Sequence, residues 1–338
     1  MGRYVIRRLI TSVITLAIIS FVIFLILDQA PGDPTGTLPP TIKPEVRAQI
    51  RKALGLDEPF HVRYFLWVRQ FFINEPLNII EEVFDVKIGD SENRLRVTSW
   101  SSRGAPVIDL MIQRVPQTLW VVGLAYVMAI AIAIPVGVVS AVRQYSIFDQ
   151  AGTFVSLIGY SVPTFFTGLL FIIIFSVHLK WFPSIYNTNH QVTDWASFVT
   201  QVKQIIMPVT VLGFFQAAAL ARFTRSSMLD NLPMDYVRTV RAKGFKERYV
   251  VIKHVLRNSL IPVVTLIALG IPAIFSGAII TEQIFRVNGL GALLIIAIQS
   301  FDIPVIQTTT FIFAILIVAF NLFADLIYGV LDPRIRYD

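Results

Sequence analysis

Hydrophobic positions along this chain neither alternate nor keep to one helical stripe. They merge into long uninterrupted runs. At 1.5 Å rise per residue, about 20 apolar residues are needed to cross a hydrocarbon layer ~30 Å thick. Six runs reach or approach that length: 9–27, 118–142, 151–179, 205–221, 260–281 and 305–330. The first two carry no charge. The third holds only His178 near its end, the fourth begins close to Pro208, the fifth contains Pro262 and Pro272, and the sixth contains Asp325. Proline is tolerated in such helices because neighbours re-satisfy the freed backbone groups. A seventh run, 290–298, is too short to span and reads as interfacial or re-entrant. The pattern predicts an all-α polytopic membrane protein with six transmembrane helices.

Basic residues set the expected orientation, since short loops rich in Lys and Arg stay in the cytoplasm. With a cytoplasmic N-terminus, segments 1–8, 142–150, 222–259 and 331–338 lie inside and hold fifteen Lys and Arg. The short outer segments 180–204 and 282–304 hold only Lys180, Lys203 and Arg286. Both termini are therefore expected in the cytoplasm. Arg3, Arg7 and Arg8 precede a run longer than the ~7–15 residues of a signal-peptide core, so 9–27 reads as an uncleaved first helix. Three parts follow: a tail with the first helix at 1–27, an extracytoplasmic segment at 28–114, and a core of five helices at 115–338.

Composition agrees with a lipid solvent. Hydrophobic residues make up 55% and charged residues 15%, with a mean hydropathy of +0.67, whereas soluble domains carry ~25% charge. The absence of cysteine excludes disulfides, thiolate catalysis and Cys-ligated metals. Four scattered His offer little to a metal. The net charge of +7 follows from basic inner loops and does not call for nucleic acid.

Two polar regions carry the remaining information. In 28–114, Ala30-Pro31-Gly32-Asp33-Pro34 marks a turn leaving the membrane. Stretches 44–56 and 60–72 read as amphipathic helices, the second through Phe60, Tyr64, Phe65, Val68, Phe71 and Phe72. Stretch 88–104 reads as loop. This segment fits either a cap on the outer helix ends or a dock for an extracytoplasmic binding protein. In the inner connector 222–259, Asn231 is a candidate helix cap, with Pro233 and Asp235 in the first turn and Gly244 ending the helix. Val237, Val240 and Phe245 supply apolar surface among Arg238, Arg241, Lys243, Lys246 and Arg248. Such a helix suits a groove on another protein; a solvated basic loop near anionic lipid is the alternative.

At this connector the chain resembles a known family. Asp235-Tyr236-Val237-Arg238-Thr239-Val240-Arg241-Ala242-Lys243-Gly244, then Leu256-Arg257-Asn258-Ser259-Leu260-Ile261-Pro262, is similar to the EAA-type loop of ABC importer permeases, most of all the dipeptide/oligopeptide/nickel family. The general Glu-Ala-Ala positions fall on Arg238, Thr239 and Val240 and match none of those letters, and the usual downstream proline falls on Arg257. Further similar stretches are Leu54-Gly55-Leu56-Asp57-Glu58-Pro59, Arg114-Val115-Pro116-Gln117-Thr118-Leu119, Ser161-Val162-Pro163-Thr164-Phe165, Leu220 to Met228, Asn288-Gly289-Leu290-Gly291 and Leu331 to Tyr337. Residues 75–103 depart from the family's pattern.

The resemblance implies a type I ABC importer permease fold, and half of a peptide pore in a bacterial or archaeal inner membrane. It implies a second homologous permease, expected to be non-identical, two ATP-binding subunits and an extracytoplasmic substrate-binding protein. ATP and Mg would sit on the partner subunits, with no cofactor and no catalysis in this chain. That agrees with the absence of a Gly-x-x-x-x-Gly-Lys-Ser/Thr loop. Asp235 to Ala242, Lys243, Gly244 and Phe245 are implied as the ATPase-coupling segment. Pore or gate candidates are Gln216, Thr265, Ser276 and Glu282, because polar groups in spans usually face protein or water, together with Tyr160, Pro163, Thr164 and Phe165, which either shape the lumen or kink and pack the third span. For Glu282 an ordinary interfacial carboxylate is the simpler reading. Import of nickel, opines or oligosaccharides is the alternative within the family. A secondary transporter or channel is the alternative outside it, and would show repeats or midplane charges.

Overall fold

The computed structural model describes residues 2–29, 45, 57–89, 94–102, 104–276 and 278–331. Among these the regular structure is helical, with one isolated bridge between Thr98 and Pro106. Five helices are long and apolar enough to cross a membrane: Ile6–Asp28, Val107–Val142, Trp195–Asn231, Glu247–Pro272 and Ile303–Asp325. Two bent pairs bring the count to as many as seven. The chain divides into two compact units, one of Gly2–Arg114 with Leu293–Val318 and one of Val115–Ala292 with Ala319–Asp338.

In the first unit, α1 (Gly2–Asp28) packs on α2 (Phe60–Arg69). A wide turn, Gln70–Asn74, leads on into α3 (Glu75–Phe84). Phe24, Trp67, Phe71 and Phe311 form an aromatic core, with Trp67 and Phe71 stacked at 5.6 Å. Ser20 and Tyr64 share a 2.9 Å hydrogen bond beside it. The expected apolar face is shifted, since Phe65 and Phe72 are exposed and Trp67 is buried. Most of the expected helix 44–56 lies outside the described residues, Glu45 being helical. The 88–104 stretch has no regular element among its described residues, yet it is firmly tied. Buried Asp302 accepts hydrogen bonds from the Ser99 hydroxyl, the Trp100 and Ser101 amides and the Ser101 hydroxyl, at 2.5–3.1 Å. Such multiple donors hold a carboxylate that burial would otherwise disfavour. Glu75, also buried, accepts from the Val97 amide at 2.7 Å.

The second unit is built on a seam of small residues. Helix α4 (Val107–Ile112) still belongs to the first unit; the second begins with α5 (Val115–Thr118), from which a wide turn at Leu119–Gly123 passes into α6 (Leu124–Val142). Ala125, Ala129, Ala133 and Gly137 recur every four residues on α6 and are buried. They face Gly213, Ala217 and Ala221 on the long helix Trp195–Asn231. A Cβ on Gly137 would stand 2.7 Å from the Ala221 carbonyl oxygen, and one on Gly213 would stand 3.0 Å from that of Ala125. Lipid gives little hydrophobic drive between helices, so close backbone approach through small residues supplies the packing.

The expected third span is not one helix. It divides into α7 (Ile147–Ser161) and α8 (Thr164–Phe171), the latter followed by a wide turn Ile172–His178. The two arms meet at 98°. Pro163 cannot donate an amide hydrogen bond and pushes Val162 out of helical geometry, to φ −85°, ψ 124°. The fourth span also differs from its apolar run. Helix α9 (Trp195–Asn231) has 37 residues, with Pro208 inside it, and begins ten residues upstream of the expected start at a capping box between Asp194 and Ser197. Helix α10 (Asp235–Ala242) and a short turn of helix, α11 (Glu247–Tyr249), follow. A wide turn, Val250–Val255, then opens α12 (Leu256–Ser276). The end of the predicted fifth run belongs to a separate helix, α13 (Ile279–Phe285), which turns through 90° into α14 (Leu290–Gln299). That bend sets 290–298 apart as a short helix of its own. Helix α15 (Ile303–Leu331) closes the described chain.

Candidate functional site: the inner connector and a membrane cavity

The connector helix is mounted on the permease core rather than free. Val237 of α10 is fully buried with Ala141, Met228, Val250, Val251 and Val255, and Val240 packs beside them. These valines were expected to form a docking face; they instead fasten α10 to the ends of α6, α9 and α12. Asn231 does not cap α10 either. It is the last residue of α9, donating to the Ser227 carbonyl at 2.9 Å and accepting from the Tyr236 hydroxyl at 3.0 Å. Met234 holds the N-cap position, with Asp235 opening the helix. Gly244 adopts φ +78°, the left-handed conformation that ends helices and that side chains resist. Arg241 and Glu247 clip the turn closed through two hydrogen bonds of 3.1 and 2.6 Å. The outward surface consists of Met234, Phe245 and Tyr249, set among exposed Asp235, Arg238, Thr239, Ala242, Lys243, Lys246 and Arg248. Phe245 stacks on Tyr249 at 5.0 Å, and Lys253 lies over the Tyr249 ring at 5.2 Å.

Within the same unit a cavity of about 540 Å³ opens between α6, α8, α9, α12 and α13. Its walls are largely apolar, with Tyr126, Thr164, Gln216 and Thr281 as the polar groups and no charged residue among them. Gln216 lies three residues from the midpoint of α9, deep within an apolar span, where an amide in lipid would be expensive. Thr164 reaches the wall because the break at Pro163 starts a new helix there. Of the other candidates, Pro163 occupies the N-cap position of α8, and Phe165 is exposed away from the lining. Thr265 bonds back to the Ile261 carbonyl at 3.2 Å. The side chains of Tyr160 and Ser276 lie outside the described residues.

Glu282 is enclosed by protein. It is fully buried and accepts from the Ala292 amide at 2.9 Å and the Thr118 hydroxyl at 3.2 Å, while Thr118 accepts from the Leu290 amide at 2.8 Å. The carboxylate thus caps the start of α14, where amides lack helical partners. Gly289 and Gly291 make this fit: Cβ atoms there would stand 2.6 Å from the Glu282 carboxyl carbon and 2.9 Å from its Oε2. Sequence reasoning missed Tyr126, whose hydroxyl donates to the Ile267 carbonyl of α12 at 2.6 Å. A lone tyrosine inside an uncharged 25-residue run was the available signal.

Apolar helices bent around a half-open cavity, with a rigid basic helix on a connector, define the class: a multi-pass membrane transport subunit. The chain belongs to the family described as binding-protein-dependent transport system inner membrane component, whose model matches residues 133–337. The family's N-terminal model matches residues 1–122. The chain is thus a membrane permease component of an ABC transporter with the type I importer permease fold, as the connector motif led one to expect. It is 40% identical to the oligopeptide transport system permease protein AppB of Bacillus subtilis, over all of both chains. It is 36% identical to the dipeptide transport system permease protein DppB of Escherichia coli K12, covering 100% of this chain and 99% of that one. It is 35% identical to the glutathione transport system permease protein GsiC of Salmonella choleraesuis, over all of both chains.

Proposed function

We propose that this subunit forms half of a peptide-conducting pore in a bacterial inner membrane, with both termini in the cytoplasm. A second homologous permease completes the pore, two ATPase subunits carry ATP and Mg, and an extracytoplasmic binding protein delivers the peptide. The chain contributes no catalytic step of its own. The oligopeptide, dipeptide and glutathione transport named in three relatives supports the substrate class.

The observation that carries the mechanism is the anchoring of α10 through Val237. A helix fixed in its own core moves its whole subunit when a partner pushes it. ATP-driven closure of the ATPases displaces Asp235–Ala242 and the turn at Gly244, and the attached ends of α9 and α12 carry that motion to the cavity. The outward ring of Met234, Phe245 and Tyr249, with its basic rim, supports a partner groove that is apolar at its floor and acidic at its edge.

Reconstituted complex tests both parts. Gly244→Arg places a bulky side chain at φ +78° and is expected to spare assembly while lowering import at least tenfold per ATP hydrolysed. Wild-type import by that variant refutes the coupling role. Competition of uptake by di- and oligopeptides supports the substrate class, whereas competition only by nickel, opines or oligosaccharides replaces it.

A further inference from the structure

The connector core and the cavity stand at opposite ends of α7, and an ion pair fixes the connector end. Asp149, in the first turn of α7, is almost fully buried. Arg225 of α9 binds it with both branches of the guanidinium, Nε to Oδ1 at 2.6 Å and Nη2 to Oδ2 at 2.8 Å. The Tyr145 amide donates to Oδ2 at 2.9 Å, and Tyr145 itself holds φ +65°, a conformation that non-glycine residues keep only where the surroundings impose it. Ser146 caps the helix by accepting from the Asp149 amide. Arg225 lies one turn before Met228, a member of the core that buries Val237.

At its other end α7 presses on α9 again. A Cβ on Gly159 would stand 2.9 Å from the Phe214 ring and 3.1 Å from the Ala218 methyl. Helix α7 therefore runs antiparallel along α9 and is held at both ends. Three residues beyond Gly159 comes the break at Val162, and then Thr164 in the cavity wall.

Resting on the coupling role proposed above, we propose that α7 is a strut and that Asp149 and Arg225 are its positioning residues. Displacement of α10 reaches α9 through Val237 and Met228, passes to α7 through the ion pair, and is converted at the Pro163 break into movement of Thr164 at the cavity. The geometry needs a planar, two-pronged cation, so lysine is not an equivalent of Arg225. A simple structural salt bridge would alter stability alone; a strut alters the ratio of transport to hydrolysis.

The test uses the full complex in liposomes, with import and ATP hydrolysis measured together. Asp149→Asn and Arg225→Lys are expected to retain the ATPase subunits and at least half of the hydrolysis, while ATP consumed per substrate imported rises about tenfold. The chain lacks cysteine, so Asp149→Cys with Arg225→Cys gives a thiol pair unique within this subunit, assayed with partner subunits stripped of their own cysteines. Bridging it with a short bifunctional thiol reagent is expected to restore coupling, and leaving it unbridged is not. A wild-type ratio in intact variant complexes overturns the strut. Loss of the ATPase subunits from every variant, or failure to fold with no rescue by the bridge, also overturns it, assigning the pair to assembly. Failure of the parent reading is distinct: Gly244→Arg in the same assay would then import at the wild-type ratio to hydrolysis.

Discussion

Helices α6 and α9 meet in two ways within a few residues of each other. Along the Ala125–Gly137 seam they touch backbone to backbone, with no room even for a methyl group at Gly137. Beside it, Tyr126 of α6 and Leu212, Phe215 and Gln216 of α9 stand back from one another to line an open cavity. The difference teaches how a transport subunit combines stiffness with space. Small residues lock the two helices into one body, and larger ones on the adjacent faces keep the wall apart. The Glu282 clasp belongs with the sealed side, although its neighbour Thr281 faces the cavity.

Substitutions can break this contrast, beginning with the clasp. Glu282→Leu strands the Ala292 amide and the Thr118 hydroxyl in the interior, at about 1–3 kcal/mol each. A large fall in thermal midpoint, read on detergent-purified complex, is the expected outcome. Gly137→Ala comes next. Alanine is the better helix former by about 1 kcal/mol, so a gain in stability is the local expectation. The seam predicts the opposite sign, a loss of about 1–3 kcal/mol from overpacking against the Ala221 carbonyl. A higher midpoint for this variant would refute the close approach of the two backbones.

On the open side the expected effects move from stability to transport. Gln216→Leu should leave the thermal midpoint nearly unchanged, since the side chain stands in the cavity rather than in the seam. Uptake assays should show a several-fold change in apparent KM for peptide, corresponding to about 1 kcal/mol from one lost polar contact. An unchanged KM would separate this cavity from the substrate path. Arg238→Ala, at an exposed connector position, should shift stability by less than about 0.5 kcal/mol, and any loss should show only in ATPase-coupled import.

Much of the fold was legible because the cost of placing apolar chain in water is local and additive. Runs of uncharged residues marked the membrane segments, and the glycine after a basic helix marked the end of α10. The break of the third span was also written in Pro163 but was masked by the unbroken hydropathy around it. The alanine–glycine seam was present at four-residue spacing, and hydropathy does not register it, because small residues contribute through the distance they allow. Asn231 was misplaced because a polar residue before a proline looks the same whether it ends one helix or begins the next.

The site was less legible. Val237 and Glu282 both carried surface expectations and both proved buried, one under the ends of three helices and the other beneath two glycines nearly in sequence contact with it. Thr164 and Gln216 share a cavity although 52 positions separate them.

By itself the sequence determined that this chain lives in a membrane, which stretches are apolar enough to enter it and which connector carries the basic helix, since these follow from transfer free energy and local charge, residue by residue. Only the tertiary structure decided where helices bend, which carboxylates are sealed by amides, and that Asp149 meets Arg225 across 76 residues. Those outcomes depend on which distant groups find each other in space, and pairing at long range leaves no mark on local composition.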